Sequence, residues 1–194
     1  VIDDKTFLVS CMLVNNETGA VYDIKALKKI RDNNAPQALL HTDAVQGFMK
    51  TGRRIADLGA DMVSISGHKI HAPKGVGALY VRKGIRVCPR MIGGGQEDGL
   101  RSGTENLPGI SAFGTAAKTA DDNKDKYLKT VSQVNECVRK SITEMCPEVL
   151  FNSGDDGFAK HILSISIPGV RSEIMLRYLS ERGIYVSAGS ACSS

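Results

Sequence analysis

The sequence predicts an α/β fold with a mostly parallel sheet and crossover helices, followed by part of a smaller α+β domain. Apolar runs such as FLVSCMLV are uninterrupted, which is typical of strands buried on both faces of a parallel sheet. These runs alternate with segments of helical periodicity, and such alternation indicates crossover units. Polar residues follow the first three strand-like runs directly, at the points where a parallel sheet exposes its functional edge.

The elements of the first part of the chain can be placed one by one. Asp23 is positioned to cap a helix whose apolar residues recur at helical spacing until Asn33-Asn34-Ala35-Pro36 ends it. Strands are predicted over QALLHTDAV, DMVSIS and VGALYVRK, with a short helical turn at 53–58. Residues 91–109 hold six glycines and are predicted to form a long loop instead of a regular element.

A domain boundary is predicted after residue 124. The helical pattern over 110–145 is interrupted by a charged stretch at 121–126, which indicates a bend or a solvated patch. Residues 1–124 are therefore assigned to a large domain and 125–194 to a small one. In the second part we expect strands near 147–151 and over HILSISI, a helix over SEIMLRYLSERG closed by Gly183, and a short strand over IYVS.

Composition and charge exclude several classes of function. The 194 residues are 42% hydrophobic and 24% charged, as in a folded globular protein. The net charge of +4 arises from 25 basic and 21 acidic residues spread along the chain, so nucleic acid is not an expected partner. No apolar run of membrane-spanning length and no signal-peptide pattern occurs, which favours a cytoplasmic protein without a membrane partner. Five cysteines without a CxxC pair favour neither a metal site nor a disulfide framework.

Polar clusters follow three successive predicted strands. They are Asn15-Asn16-Glu17, His41-Thr42-Asp43 and Ser66-Gly67-His68-Lys69. In an open parallel sheet, ligands bind beyond the carboxyl ends of the strands, so the three clusters predict a shared pocket. Within them, His41 is either a hydrogen-bonding residue at a strand end or a ligand.

Lys69 and Asp43 are the main chemical groups of this predicted pocket. A lysine in a tight loop beside His68 can become nucleophilic and form a Schiff base with a carbonyl. Taken alone, such a lysine is more commonly an ordinary surface residue on a turn, as is predicted for Lys74. An aspartate that ends an apolar strand needs a cationic partner, unless it caps the turn that begins at Ala44. A pyridinium nitrogen would supply that partner, and the pair is how proteins hold pyridoxal phosphate.

Cys192 is a third candidate. It lies in SAGSACSS, where small residues make the thiol accessible, and its alternative is an exposed thiol in a frayed tail. Cys11 and Cys137 lie in apolar or helical patterns and are predicted to be buried and inert.

Five blocks of the sequence closely resemble the cysteine desulfurases, the sulfur-mobilising branch of the class V aminotransferase-like enzymes that depend on pyridoxal phosphate. Their order and separations match from Val14 to Ser194. The blocks are NNETG, HTDAVQ, SGHKIHAPKGVGALYVR, GGGQEDGLRSGTEN and SAGSACSS.

The resemblance implies a role for each residue around the cofactor ring. Lys69 matches the lysine that binds the cofactor covalently and removes the α proton of the substrate. Asp43 matches the aspartate that faces the pyridine nitrogen, and Gln46 matches the glutamine that hydrogen-bonds the phenolic oxygen. Asn16 matches an asparagine near that oxygen and the substrate.

The resemblance also implies phosphate ligands, partners and products. Ser66 and His68 match phosphate ligands, and Thr104 matches a threonine that reaches the phosphate of a neighbouring subunit, so a homodimer is implied. Cys192 matches the cysteine that takes sulfur from L-cysteine. The implied products are L-alanine and a persulfide, whose sulfur passes to an acceptor protein, as in iron-sulfur cluster assembly.

The sequence departs from the family pattern at both ends. Members carry a further stretch before the first strand seen here and continue beyond the reactive cysteine, whereas this sequence begins at a strand and stops two residues after Cys192. We therefore expect a partial chain that is weakly active or inactive when isolated. The alternatives are another class V aminotransferase, a selenocysteine lyase or a non-catalytic module that binds a sulfur acceptor. A nucleotide binder is disfavoured because GGGQEDG lacks the ending of a P-loop.

Overall fold

The structure is a computed structural model that describes residues 2–189. It forms two compact units, one made of Val1–Leu13 with Asp23–Lys124 and the other of Val14–Tyr22 with Asp125–Ser194. Each unit contains its own sheet. Within residues 2–189, no helix combines the length and the apolar character needed to cross a membrane.

The first unit is built on a four-stranded mixed sheet. Strands β1 (Leu8–Met12), β2 (Leu39–Asp43) and β3 (Met62–Ser66) are parallel, and β4 (Gly77–Val81) pairs antiparallel with β3, in the order β1-β2-β3-β4. The prediction of a mostly parallel sheet is confirmed. Since only the segment 67–76 joins β3 to β4, without a crossover helix, the chain returns antiparallel at this edge.

Helix α1 (Ile24–Asn34) is the crossover between β1 and β2 and packs against β2. Asp23 caps it as predicted, because its Oδ1 accepts a hydrogen bond from the Ala26 N–H at 3.0 Å. Ile24 is fully buried, as is Leu40 of β2. Burial of these apolar side chains between helix and sheet forms the core of the first unit.

The two faces of the sheet differ in polarity. Leu40, Thr42 and Val63 are buried on the face that forms the core. Because side chains alternate along a strand, the residues between them, His41 and Ser64, lie on the opposite and more exposed face. This alternation puts hydroxyl, imidazole and carboxylate groups on one surface.

A buried ion cluster holds the amino-terminal ends of these strands. Asp61 is 2% exposed and accepts bonds from Arg31 Nη1, Arg82 Nε and the Leu40 N–H, each at 2.8 Å. Burial by itself raises the pKa of this carboxyl. The hydrogen bonds from the Leu40 N–H and from the Arg31 and Arg82 guanidinium groups lower the pKa by more than burial raises it, so the pKa lies below the ordinary value. The ionised carboxylate therefore stabilises the first unit.

Two helices replace the long helical pattern predicted over 110–145. Helix α2 (Leu107–Asp122) begins before residue 110, because Asn106 caps it by accepting a bond from the Gly109 N–H at 3.1 Å. Asn123 separates it from α3 (Lys124–Met145), within the charged stretch where a bend was predicted.

The second unit combines α3 with a two-stranded antiparallel sheet of β5 (Leu150–Phe151) and β6 (Ile165–Ser166) and with α4 (Ser172–Ser180). Arg139 of α3 joins helix to sheet, since its Nη2 donates to the Ser153 carbonyl at 2.7 Å and its guanidinium lies 4.8 Å from the Phe151 ring centroid. The α+β character predicted for this part is present in the described residues.

The prediction of a strand over IYVS is wrong. Residues 184–187 are exposed and irregular, because no described segment pairs with them in a ladder. A strand requires a hydrogen-bonded neighbour, which the alternation of apolar residues does not guarantee. The helix before it ends near Gly183 as predicted, where φ is 74°.

Candidate functional site

Lys69 lies in a tight 3-10 turn, Gly67–Ile70, directly after β3. The Gly67 N–H donates to the Val76 carbonyl at 2.9 Å, and a Cβ at Gly67 would lie 3.1 Å from that same oxygen. Glycine therefore eases this close approach of the chain, since any other residue would crowd the Val76 carbonyl. His71 ends the turn in the left-handed region, with φ of 70°. The turn holds Lys69 half-buried at the carboxyl end of β3.

The two predicted phosphate ligands lie together at the start of this turn. Ser66 Oγ and His68 Nδ1 are 2.7 Å apart and share a hydrogen bond. A hydroxyl and an imidazole N–H are both suitable donors to phosphate oxygens. The structure thus places these side chains in direct contact, next to Lys69 in the chain.

Asp43 ends β2 with an exposed carboxylate. Its Oδ1 accepts a bond from the Val45 N–H at 2.8 Å, and in the sheet it is registered opposite Ser64 of β3. Gln46 follows in the turn after β2 and is half-buried. Because β2 and β3 are parallel neighbours, Asp43 and the turn that carries Lys69 leave the sheet at the same edge.

One aromatic residue of α2 anchors both turns. Phe113 packs with Ile70, the residue after Lys69, and with Phe48, which follows Gln46 by two positions. The rings of Phe48 and Phe113 meet edge to face, with centroids 6.3 Å apart. The shared contact means that the predicted ring-binding turn and the predicted lysine turn belong to one packed cluster.

A second lysine near Lys69 was missed by sequence reasoning. Lys50 is half-buried, and its pKa is lowered first by burial and second by the positive charge of Lys69. The ammonium form of Lys50 is therefore disfavoured. No periodicity relates residues 50 and 69, so only the folded chain shows that the two amines interact.

The sequence left His41 as either a hydrogen-bonding residue or a ligand, and in the structure its imidazole forms hydrogen bonds to two serines. Its Nδ1 lies 2.8 Å from Ser10 Oγ of β1, and its Nε2 lies 2.9 Å from Ser64 Oγ of β3. The imidazole therefore links three strands on the polar face of the sheet.

The remaining predicted site residues lie in loops. Asn16 belongs to the second unit, in a turn where Asn15 Oδ1 accepts bonds from the Thr18 N–H and hydroxyl at 2.8 and 3.1 Å. Thr104 is exposed in the first unit, shortly before the cap of α2. The glycine-rich segment before it contains one 3-10 turn, Glu97–Gly99, and an isolated bridge between Met91 and Arg101. The loop predicted over 91–109 ends earlier than expected, because α2 begins at Leu107. Cys192 lies outside the described residues.

Comparisons with known proteins identify the family of this chain. The family model described as aminotransferase class-V matches residues 1–194. The chain belongs to the class-V aminotransferase family. This family depends on pyridoxal phosphate.

Relatives with curated names are similar over the whole chain. A cysteine desulfurase of Gluconacetobacter diazotrophicus is 36% identical over 193 residues, covering 100% of this chain and 48% of the relative. The cysteine desulfurase IscS of Rickettsia bellii is 41% identical over 195 residues, covering 100% of this chain and 47% of the relative. The chain thus spans about half the length of the curated relatives it matches.

Solved structures share the fold. One described as a NifS-like protein has a TM-score of 0.92 and 35% identity, covering 96% of this chain and 51% of the other. The NifS-like protein from Rickettsia africae has a TM-score of 0.89 and 34% identity, covering 95% of this chain and 51% of the other. The predicted α/β fold class is therefore confirmed.

The donor set fits the cofactor of this family. The edge of the sheet offers an exposed carboxylate for a pyridinium nitrogen at Asp43, and an amine for the aldehyde at Lys69. The hydrogen-bonded pair of Ser66 and His68 offers donors for a phosphate. All four residues belong to the first unit; Asp43 and Ser66 end the adjacent strands β2 and β3, and His68 and Lys69 lie in the turn after β3.

Proposed function

We propose that this protein is a cysteine desulfurase, which removes sulfur from L-cysteine and gives L-alanine. The observation that carries the proposal is the common packing of the Lys69 turn and the Gln46 turn on Phe113, beside the exposed Asp43 carboxylate. The names of the curated relatives support the choice of L-cysteine over other substrates of class V enzymes. A selenocysteine lyase or another class V aminotransferase is the competing assignment.

In this proposal six residues of one copy would hold the cofactor. Ser66 and His68 would donate hydrogen bonds to its phosphate, and the Asp43 carboxylate would pair with its ring nitrogen. Gln46 and Asn16 would orient the ring through its phenolic oxygen. Lys69 Nζ would bond covalently to its aldehyde carbon.

Proton transfer at the substrate is assigned to Lys69. Pyridoxal phosphate, when bound, supplies an electron sink for negative charge at the substrate Cα. Lys69 Nζ removes the Cα proton, a task that requires a neutral amine.

Sulfur transfer is assigned to Cys192. Its thiolate attacks the substrate sulfur, so that an S–S bond forms while the bond from that sulfur to the substrate Cβ breaks. The electron pair of the broken bond stays with the substrate, so that Cβ gains one proton and becomes the methyl group of alanine, while Cα regains the proton that Lys69 removed. The enzyme retains a persulfide on Cys192. A thiolate of the acceptor protein then attacks the outer sulfur of this persulfide and takes it, which restores the Cys192 thiolate.

We further propose a cytoplasmic homodimer that serves iron-sulfur cluster assembly. In a dimer, Thr104 of one copy reaches the phosphate held by the other. Its exposure and its position beyond the glycine-rich loop support such a reach. The similarity to proteins named IscS supports the assembly role.

Absorbance spectroscopy tests the lysine assignment. Purified protein mixed with pyridoxal phosphate should develop the visible band of lysine-bound cofactor, and Lys69→Ala should abolish it. Lys74→Ala is the matched control, because Lys74 is an exposed lysine five residues away, and it should keep the band. Borohydride reduction followed by peptide mass analysis should place the cofactor on Lys69. A band that persists in Lys69→Ala would refute the assignment.

Mass measurement tests the sulfur step separately. After exposure to L-cysteine, the peptide containing Cys192 should gain one sulfur atom, and Cys192→Ser should prevent both this gain and sulfide release. Alanine formation without added sulfur on Cys192 would instead favour a selenocysteine lyase or another class V enzyme.

A further inference from the structure

The imidazole of His41 connects three parallel strands at the edge where the proposed site lies. We propose that His41 is a positioning residue that fixes the Asp43 carboxylate by clamping Ser64 of β3. The inference rests on the proposed function, in which Asp43 faces the cofactor ring. His41 itself touches neither cofactor nor substrate in this proposal.

The register of the sheet shows why the hydrogen bond between His41 and Ser64 affects Asp43. His41 is paired with Met62 in the β2–β3 ladder, yet its Nε2 bonds to Ser64, two residues closer to the carboxyl end. Ser64 is the residue paired with Asp43. The side-chain bond from His41 therefore reaches the strand position that faces the carboxylate.

The last pair of this ladder needs such support. The β2–β3 register contains three pairs, and Asp43 with Ser64 is the third and last of them. Beyond it, the Ala44 N–H still donates to the Ser64 carbonyl at 2.9 Å, after which β2 gives way to a turn. Strand ends open more easily than strand centres, so a side-chain bond to Ser64 has its largest effect there.

The other ring nitrogen of His41, Nδ1, bonds to the strand on the opposite side of β2, which is β1. His41 Nδ1 bonds to Ser10 Oγ, directly across the β1–β2 ladder. This bond lies two residues before the strand end, so it orients the imidazole but does not reach the pair that contains Asp43. The two bonds therefore have different consequences, which substitutions can separate.

Two amide substitutions separate the bonds. The amide nitrogen of glutamine can occupy the place of Nε2, and that of asparagine the place of Nδ1, and either amide can donate to a serine hydroxyl. His41→Gln should therefore keep the Ser64 bond, whereas His41→Asn should keep only the Ser10 bond. His41→Leu removes both. We expect glutamine to rescue the position of Asp43 and asparagine to fail.

Amide hydrogen exchange reports the position of Asp43 without any cofactor. The Val45 N–H is bonded to Asp43 Oδ1, so its exchange rate measures how firmly that carboxylate is held. In His41→Leu and His41→Asn, this rate should rise about three- to tenfold, as expected for loss of one hydrogen bond. The Leu40 N–H lies in the same strand as Asp43 and donates to Asp61. It is the internal control, and its exchange rate should be unchanged.

Cofactor titration supplies the second readout. His41→Leu and His41→Asn should bind pyridoxal phosphate about three- to tenfold more weakly and shift its visible absorbance, while His41→Gln should match the unsubstituted protein. Ser10→Ala should resemble His41→Gln, because it leaves the Ser64 bond in place. Ser64→Ala should resemble His41→Leu.

The outcomes distinguish the inference from the proposed function. If the unsubstituted protein binds no cofactor, the proposed function fails, and Val45 exchange still decides the role of His41. Unchanged Val45 exchange in His41→Asn overturns the inference, as does equal rescue by asparagine and glutamine. If His41→Leu does not fold, the comparison of glutamine with asparagine decides. A general loss of thermal stability with identical Val45 and Leu40 responses would show a purely structural role and overturn the inference.

Discussion

Removal of the Phe113 side chain should loosen the proposed site as well as the fold. Phe113 is 9% exposed, and its ring meets the Phe48 ring edge to face at 6.3 Å. Phenylalanine-to-alanine changes in protein cores cost about 3–5 kcal/mol. Because Ala72 and Ala116 are too small to fill the space left by the ring, we expect Phe113→Ala to cost at least about 3 kcal/mol.

The consequence for the site follows from the shared anchor. Ile70 adjoins Lys69, and Phe48 lies two residues after Gln46, so both turns lose their contact with the Phe113 ring in Phe113→Ala. We expect cofactor binding to weaken by about tenfold or more, equivalent to about 1.4 kcal/mol of lost preorganisation. Phe113→Leu keeps most of the apolar volume and should give smaller changes in both quantities.

Urea denaturation and cofactor titration measure these two effects. Phe7→Ala is the matched control, because Phe7 is 78% exposed and its loss should change the free energy of unfolding by about 0.5 kcal/mol or less. A cost below about 1 kcal/mol for Phe113→Ala would contradict the packing. A large cost with unchanged cofactor affinity would show that the two turns do not depend on this anchor.

The remaining predictions concern buried polar groups in the first unit. Asp61→Asn should lower the free energy of unfolding by about 3 kcal/mol at neutral pH, because the buried Arg31 keeps only the exposed Asp32 carboxylate as a counter-charge. The exposed Asp57→Asn is the control, and equal effects of the two substitutions would contradict the ion cluster. The folded-state pKa of Asp61 is lowered, so its carboxylate stabilises the fold above about pH 4. This stabilisation is lost as the pH falls through the folded-state pKa. Acid titration should therefore destabilise Asp61→Asn less steeply than the unsubstituted protein. Thr42→Val should raise the free energy of unfolding by about 1 kcal/mol, because the Thr42 hydroxyl is buried without a hydrogen-bond partner in the part of the chain that the structure describes; a loss of stability in thermal or urea unfolding would contradict this.

The regular elements with strong local signals were predictable from the sequence. The cap at Asp23 and the end of α1 beside Pro36 follow from side-chain and backbone preferences that act over a few residues. The strand predicted over IYVS failed for the opposite reason, since a strand exists only when another segment pairs with it. Local patterns cannot indicate whether such a partner is present.

The sequence alone determined which chemical groups could form the site and where along the chain they lie. Lys69 and Asp43 stand out because they follow apolar strands, a relation visible in one dimension. Only the tertiary structure showed that Lys50 interacts with Lys69 and that His41 bonds to Ser64. Those interactions join residues 19 and 23 positions apart, and their geometry is set by strand register and by packing on α2, which local sequence preferences do not encode.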